Sequence, residues 1–427
     1  MMETQVNRVR FRGILESRGG LTVEAEVALA GGAVGSASAP VAIAPGRLER
    51  RRSHIRSLGP LDGEPEFAAL RAAIEGGRFD SQRRFDAYLE ELPSAAALGA
   101  DVRLVLSVAF CRASAAALGV PLVEQLARLA GTRPAVPRPL VNIFSGGIHD
   151  RSRRSPFQQI MFAPDFGDFV SNVNAALAVY SAVEEDVRES CGEVRYSASS
   201  GMLVDADGPE ALLGRLHEVV GRCGHPASKW RLAADVAAEH LRAKDGRYLF
   251  GESAIDGAAL LERHLDLART YDVGFLEDPF DAADAHLWRK LTRELAPATC
   301  VVGDDLFATD GSKVEPGLAT GIILKPNQTG TISGALGAAR AAREAGMLLC
   351  VSHRSAETED TLMCDLAVAV GASFIKLGGP RRGDRTAKYN QLLRLAARVD
   401  GRDDAAAGGA PGGPAGEMGR RPAPPSS

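Results

Sequence analysis

Residues 321–395 decide the fold of this chain, because three of their segments are built in the same way. The segments are IILKPNQTGT at 322–331, VSHRSAETED at 351–360 and FIKLGG at 374–379. Each carries the end of a short apolar run of strand type, a cation, and then turn-forming sequence that leads into a helix-periodic stretch. This repetition of strand, turn and helix predicts a β/α barrel.

Cations follow the apolar runs at equivalent positions: Lys325, His353 with Arg354, and Lys376. Residues at the carboxyl ends of barrel strands face the active site, so these side chains are expected to converge at one mouth. A single lysine after an apolar run is more often a strand end that reaches solvent. Cations at three successive strand ends, each at the same position in the repeat, favour a binding site for an anion.

Acids occupy the corresponding positions after three earlier apolar runs. Asp235 follows RLAA, Glu277 lies in LEDP, and Asp304 lies in VGDD. Hard divalent cations such as Mg²⁺ take oxygen ligands, and three carboxylates from adjacent strands can supply one face of an octahedron. On spacing alone, a metal site and a chance arrangement of acids are equally open.

Composition narrows the classes of function. The chain has 427 residues, enough for a barrel and one further domain, and its formal net charge of −4 gives no reason to expect nucleic acid or a membrane surface as a partner. Six cysteines lie apart without C-x-x-C spacing, which is typical of reduced core residues. Neither a signal pattern nor a bilayer-length apolar run is present. These features predict a cytoplasmic enzyme.

The N-terminal third has its own pattern. Apolar and polar residues alternate across 6–29, which predicts a hairpin, and helical spacing follows over 64–129. Residues 1–133 are therefore expected to form a smaller α+β domain. Between these stretches, GSASAPVAIAPG at 35–46 is small, irregular and proline-containing, and it is predicted to form a mobile loop.

Two further changes of pattern divide the rest of the chain. Pro134, Pro137 and Pro139 interrupt the sequence, and strand-type runs then alternate with helical stretches, so the barrel is expected to occupy 134–404. Residues 405–427 are rich in Gly and Pro with almost no apolar bulk. Such a segment cannot bury enough surface to offset its ordering entropy, which predicts a disordered tail.

The segments LKPNQTGTISGALGAARAAREAG, VSHRSAETEDT and IKLGGPRRGDRTAKYNQLLRL closely resemble C-terminal signatures of the enolase family. The resemblance extends over about 11–398, and SRG at 17–19 with TVE at 22–24 is similar to the opening hairpin of enolases. It implies an α/β fold, with an enolase-like (β/α)8 barrel preceded by a smaller α+β N-terminal domain. It also implies a homodimer or higher homo-oligomer.

The resemblance also implies a reaction and a set of site residues. Enolases remove a proton from the carbon next to a carboxylate of 2-phosphoglycerate, with Mg²⁺ beside the carboxylate oxygens. The matching base is Lys325, whose pKa is expected to be lowered by nearby Lys376 and the metal. The other matches are Asp235, Glu277 and Asp304 as Mg²⁺ ligands, Lys376 for the substrate carboxylate, Ser352 and Arg354 for the phosphate, His353 and His149 as active-site histidines, and Gln158 and Gln159 for substrate contacts.

The sequence departs from the family pattern where enolases handle the leaving hydroxide. The family has Gln-Glu where this chain has QQ, so Gln159 replaces a glutamate. Aligned on SSG at 199–201, Ala206 replaces a second critical glutamate, unless Asp205 or Asp207 substitutes for it. In the loop that resembles PSGASTG, this chain has PVAIAPG at 40–46, so both hydroxyls are lost and Ala44 stands where a serine binds a second Mg²⁺.

These features predict an enolase-family, Mg²⁺-dependent lyase that acts on a small phosphorylated or phosphonate anion like 2-phosphoglycerate or phosphoenolpyruvate. The preferred interpretation is a specialised paralogue, such as one that forms carboxyphosphonoenolpyruvate in phosphonate biosynthesis. Two alternatives remain: an ordinary phosphopyruvate hydratase that replaces the lost acids, and a catalytically inactive binding protein. The intact base and metal ligands weigh against the inactive protein.

Overall fold

The fold is described from a computed structural model, which defines residues 4–42, 55–147, 155–251 and 253–401. Three features singled out in the sequence lie outside these residues: His149, the part of the PVAIAPG loop that contains Ala44, and the Gly/Pro-rich tail over 405–427.

The N-terminal part combines an antiparallel sheet with a layer of helices. Its strands lie in the order β3-β2-β1-β4, and β5 pairs with the start of β1. The strands are β1 (Thr4–Leu15), β2 (Leu21–Leu29), β3 (Val34–Ser38), β4 (Gly59–Pro60) and β5 (Arg78–Phe79). The helices are α1 (Pro65–Ile74), α2 (Gln82–Glu91), α3 (Pro93–Leu98), α4 (Ala100–Ala117) and α5 (Leu122–Ala130).

The prediction of a loop from residue 35 is wrong for its first residues, which form β3. This strand pairs with β2, with Ala37 opposite Ala25. Its small residues allow α4 to pack closely, since a Cβ on Gly35 would lie 2.2 Å from the carbonyl oxygen of Ala109. A strand packed this tightly against a helix needs small residues in place of bulky apolar ones. For this reason its sequence lacks the alternation of apolar and polar residues that predicts a strand.

The remaining elements form the barrel and its surroundings. The strands are β6 (Arg138–Ser145), β7 (Gln159–Pro164), β8 (Arg195–Tyr196), β9 (Met202–Leu203), β10 (Trp230–Asp235), β11 (Tyr248–Phe250), β12 (Ser253–Ile255), β13 (Val273–Glu277), β14 (Cys300–Gly303), β15 (Gly321–Leu324), β16 (Leu348–Ser352) and β17 (Phe374–Lys376). The helices are α6 (Phe169–Cys191), α7 (Gly208–Arg222), α8 (Gly257–Thr270), α9 (Ala285–Leu295), α10 (Pro326–Thr329), α11 (Ile332–Glu344), α12 (Leu362–Ala369) and α13 (Gly383–Val399).

Eight of these strands close a ring in the order β6-β7-β10-β13-β14-β15-β16-β17, with β17 pairing back onto β6. Seven run parallel, whereas β7 is antiparallel to both of its neighbours. The first residue of β7, Gln159, therefore lies opposite the last residue of β10, Asp235. This reversal brings the beginning of β7 to the same mouth as the carboxyl ends of the other strands.

Every barrel strand contributes to a packed interior. The inward-facing residues form one cluster of buried side chains, at most 9% exposed, which is the filled core expected of such a barrel rather than a pore. The cluster consists of Leu140, Met161, Ala163, Ala233, Phe275, Val302, Ile323, Cys350 and Phe374. This core supports the mouth from below and closes it on that side.

Buried polar contacts join the N-terminal sheet and helices to the barrel. Arg112 of α4 donates to both carboxylate oxygens of Asp360 at 2.7 Å, and the same carboxylate accepts the backbone N–H of Ser38. Asp86 of α2 accepts the backbone N–H of Ser333 at 2.8 Å. The partly buried Arg112–Asp360 ion pair and the hydrogen bond of the buried Asp86 therefore hold the N-terminal part against the barrel.

No single helix among the described residues has the length and apolar character needed to cross a bilayer. Helices α4 and α5 meet the requirement only when joined, and they are bent by 107° relative to each other.

Candidate active site

The predicted site residues lie at the ends of the barrel strands, around one mouth. Asp235, Glu277, Ser352 and Lys376 end their strands, while Asp304, Lys325, His353 and Arg354 follow theirs directly. Gln159 reaches the same mouth from the opposite direction because β7 is antiparallel. The residues that line the cleft are Gln158, Gln159, Ser199, Asp235, Ala237, His240, Asp278, Asp304, Asp305, Lys325, Ser352, His353, Arg354, Ser355 and Lys376.

Lys376 holds two of the predicted metal ligands. Its ammonium lies 3.0 Å from Asp235 Oδ2 and 2.5 Å from Glu277 Oε2, and all three side chains are buried. Burial alone would lower the pKa of Lys376, but the two carboxylates outweigh it and raise that pKa. Burial and the nearby Asp235 raise the pKa of Glu277 to about 8. Both carboxylates therefore face one point that is suited to a cation.

Lys325 makes a third ion pair at the mouth, with the Asp304 carboxylate. The sequence prediction of a lowered Lys325 pKa concerns the metal-bound site. Burial alone would lower the pKa of Lys325, but the adjacent Asp304 outweighs burial and raises it. The other carboxylate oxygen, Asp304 Oδ1, is buried and has no hydrogen-bond partner among the described residues. It is therefore available to a ligand.

A compact acidic group adjoins this pair. Asp278, Asp304 and Asp305 each offer a carboxylate oxygen within 4.8 Å of the others, so the group could hold a metal ion. It shares only Asp304 with the ligand set expected from the sequence. Asp278 is already engaged, since its two carboxylate oxygens accept the backbone N–H groups of Asp304 at 2.8 Å and Asp305 at 2.9 Å. Its role is to hold the turn after β14.

Sequence reasoning missed Asp278 and Asp305, although both lie in motifs that it quoted. Asp278 directly follows Glu277, and Asp305 directly follows Asp304. Burial and the adjacent Asp304 raise the pKa of Asp305 to about 7. His240, on a 3-10 helix at Ala238–Leu241, also lines the cleft and was not anticipated. A histidine five residues after a strand-end acid carries no recognisable sequence signal of its own.

Ser352, His353 and Arg354 form a buried corner of the mouth, each 5% exposed. The Arg354 backbone N–H donates to Glu357 Oε1 at 2.7 Å, and the buried Lys388 pairs with the same carboxylate at 3.1 Å. A buried carboxylate with two such partners holds the loop rigidly. The phosphate-binding residues expected from the sequence are therefore preorganised.

The two glutamines lie beside Asp235. Gln158 Nε2 is 3.4 Å from Asp235 Oδ2, and Gln159 Oε1 is buried without a hydrogen-bond partner among the described residues. Asp205 and Asp207 are both exposed, and neither lines the described cleft. Asp205 instead approaches Arg195 at 3.8 Å. Neither acid is placed to substitute for the glutamate that Ala206 replaces.

Comparison with known proteins agrees with this architecture. The family described as "Enolase, C-terminal TIM barrel domain" matches residues 133–408, and "Enolase, N-terminal domain" matches residues 6–126. A protein named enolase from Aeropyrum pernix is 34% identical over 414 residues, which cover 91% of this chain and 93% of that relative. The predicted fold, a (β/α)8 barrel preceded by a smaller α+β domain, is confirmed. This chain therefore belongs to the enolase family of lyases.

Proposed function

We propose that this enzyme binds Mg²⁺ and a small anion of the 2-phosphoglycerate or phosphoenolpyruvate class, and that Lys325 removes the proton next to the substrate carboxylate. We further propose that it is a specialised paralogue, with either altered chemistry at carbon 3 or a substrate whose phosphorus group is modified. One observation carries this proposal: the cations and carboxylates of the mouth are assembled, whereas Gln159, which lines the same cleft, stands where the family resemblance implies a glutamate.

The residues present fit a divalent cation. Asp235, Glu277 and Asp304 supply carboxylate oxygens at one mouth, which is the donor type that Mg²⁺ prefers. The buried Asp304 Oδ1 has no partner among the described residues, so one ligand position is preformed. When bound, the cation would stabilise the negative charge that develops on the substrate carboxylate. We assign these three residues as its ligands.

Lys325 is the proposed base because its amine sits at a barrel strand end beside Asp304, within the cleft. An amine must be neutral to accept a proton, and its pKa is raised while the Asp304 carboxylate faces it. Neutralisation of Asp304 by a ligand is therefore a condition for Lys325 to act. This requirement couples proton removal to occupation of the site.

The remaining cations are assigned to the substrate anion. Arg354 offers a planar, permanently charged donor that suits phosphate oxygens, with Ser352 beside it on a rigid loop. Lys376 is assigned to the substrate carboxylate, and its place on Asp235 and Glu277 keeps it near the metal ligands. His353 contributes a ring nitrogen to the same cleft.

The residues that correspond to those handling the leaving hydroxide differ between this enzyme and ordinary enolases. The Gln159 amide cannot donate a proton as a carboxylic acid does, and Ala206 offers no polar group at all. General acid assistance is typically worth about 10² to 10⁴ in rate, so ordinary dehydration should be severely impaired. A narrower proposal is formation of carboxyphosphonoenolpyruvate in phosphonate biosynthesis. The apolar Val41 and Ala42 at the loop after β3 support a changed environment for the phosphorus group.

Two further properties complete the proposal. All six cysteines are free thiols, which suits the reducing cytoplasm. A homodimer is expected from the family resemblance.

The second candidate function is ordinary phosphopyruvate hydratase, favoured by the identity to a protein named enolase. The deciding comparison is kcat/KM with Mg²⁺ for 2-phosphoglycerate and for its analogue that carries a carboxyl group on phosphorus. A clear preference for the analogue supports the specialised paralogue. Efficient dehydration of 2-phosphoglycerate, with little turnover of the analogue, would make the ordinary hydratase the better description.

A further inference from the structure

Arg385 is a charged residue deep in the fold that the proposed reaction does not use. It lies in the first turn of α13, and its side chain is completely buried. Its Nη1 lies 2.5 Å from His353 Nδ1, and its Nη2 donates to the carbonyl oxygens of Arg354 at 3.0 Å and Ser355 at 3.1 Å. The guanidinium therefore contacts the loop after β16 and the Nδ1 edge of the His353 ring.

The contacts of His353 decide where its ring proton lies. Among the described residues, the polar neighbours of Nδ1 are the Arg354 carbonyl oxygen at 2.9 Å, which can only accept, and the Arg385 guanidinium at 2.5 Å, which can only donate. A proton on Nδ1 would point two donors at each other across the shorter of these contacts. Nδ1 must therefore accept from Arg385, and the proton of the neutral ring lies on Nε2.

The opposite ring nitrogen faces the site. His353 lines the cleft, and its Nε2 is buried without a hydrogen-bond partner among the described residues. Burial and the charge of Arg385 lower the pKa of His353 well below its usual range, and the lysines Lys376 and Lys325 act in the same direction. The ring therefore stays neutral, and its single N–H is directed to the space where the anion is expected.

We propose that Arg385 is a positioning residue that fixes His353 as the neutral Nε2–H tautomer, which makes His353 a hydrogen-bond donor to the bound anion and not a proton acceptor. Only the identity of that anion rests on the proposed function. The tautomer itself is a property of the free protein and can be tested without turnover.

The test is a long-range ¹H–¹⁵N correlation spectrum of the full-length protein, labelled with ¹⁵N at its eight histidines. The His353 signals are identified by their loss in His353→Gln. In the wild type, the expected pattern is that of neutral Nε2–H, unchanged from neutral to mildly acidic pH. A wild-type pattern of Nδ1–H, or of the imidazolium cation at neutral pH, overturns the proposal whatever the variants do.

Two substitutions at Arg385 separate positioning from simple packing. Arg385→Lys retains a charged donor and is expected to keep the Nε2–H pattern. Arg385→Met removes the donor and leaves the Arg354 carbonyl oxygen as the polar neighbour of Nδ1, so the proton is expected to move to Nδ1 and the two nitrogen resonances to exchange positions. Persistence of Nε2–H in a folded Arg385→Met protein contradicts the proposal.

A matched control is available on the neighbouring turn. Arg381 is exposed and donates to Glu184, away from His353. Arg381→Met is therefore expected to leave the His353 pattern unchanged. A shift in this control equal to that of Arg385→Met would show that loss of any nearby arginine disturbs the ring, and the specific role of Arg385 would be rejected.

Discussion

The Lys376 ammonium lies 2.5 Å from the Glu277 carboxylate, so two strands that are not neighbours in the barrel, β17 and β13, meet through a buried ion pair across its mouth. A buried carboxylate stabilises the fold only while a cation faces it. Here the same oxygen that pairs with Lys376 belongs to a proposed metal ligand. Cation binding and the arrangement of Lys376 are therefore coupled.

The first expectation concerns the metal. MgCl₂ at a hundred times its Kd should stabilise the wild type by about 2.7 kcal/mol, seen as a rise in Tm. Glu277→Gln should lose most of this rise, because an amide is a weaker ligand than a carboxylate. Glu210→Gln, at a partly exposed position on α7 that pairs with Arg263, serves as the control. An equal Mg²⁺-induced rise in Glu277→Gln would remove Glu277 from the ligand set.

The second expectation concerns the leaving group. Introducing Gln159→Glu should raise the rate of 2-phosphoglycerate dehydration by up to about 10² to 10⁴, because it restores an acid group that lines the cleft. Steady-state kinetics measure this gain. Gln158→Glu adds the same charge one residue away and should give no comparable increase. If Gln159→Glu were no faster than the wild type, the loss of an acid at this position would not explain impaired dehydration.

A third expectation concerns Asp278, which holds the turn that carries Asp304. Asp278→Ala removes the acceptors of the buried Asp304 N–H and the partly buried Asp305 N–H, so the free energy of unfolding in urea should fall by about 1–3 kcal/mol for the first and by less for the second. Mg²⁺ stabilisation should fall as well, since Asp304 loses its support. If the free energy of unfolding and the stabilisation by Mg²⁺ were both unchanged, the turn after β14 would not depend on Asp278 for its conformation.

The fourth expectation is a pH effect remote from the mouth. His264 of α8 is buried between Phe157 and Phe280, and burial lowers its pKa to about 4. The unfolded chain, with a histidine pKa of about 6.5, takes up a proton first as the pH falls. The stability contributed by neutral His264 is therefore complete above about pH 6.5 and is lost as the pH falls towards 4.

Between pH 7 and pH 5 the wild type should lose about 2 kcal/mol more stability than His264→Gln, measured by urea unfolding at both values. His286→Gln, at an exposed position on α9, should behave like the wild type. Identical pH dependence in wild type and His264→Gln would mean that the buried ring is not what responds to acid.

Local sequence was sufficient to locate the residues at the strand ends. Asp235, Glu277 and Lys376 each follow an apolar run, and the parallel repeat fixes which end of that run faces the mouth. The direction of β7 was not predictable in this way. Strand direction depends on which strands pair, and the run QIMFAP reads the same whether it is parallel or antiparallel.

Contacts between distant residues were also beyond the sequence pattern. Arg385 reaches His353 over a separation of 32 residues, and neither flanking sequence indicates the partner. The effect of Asp304 on the pKa of Lys325 was missed for a related reason. The prediction considered the cation Lys376 and a metal, whereas the direct neighbour of the amine is the Asp304 carboxylate.

The most direct test of the central claim is proton exchange at carbon 2 of 2-phosphoglycerate in heavy water, with Mg²⁺, followed by NMR beside a measurement of dehydration. If Lys325 and the metal ligands work while the leaving-group side does not, deuterium enters carbon 2 with little dehydration, and Lys325→Ala abolishes the exchange. Rapid Lys325-dependent dehydration, or the absence of exchange in the wild type, would contradict the account.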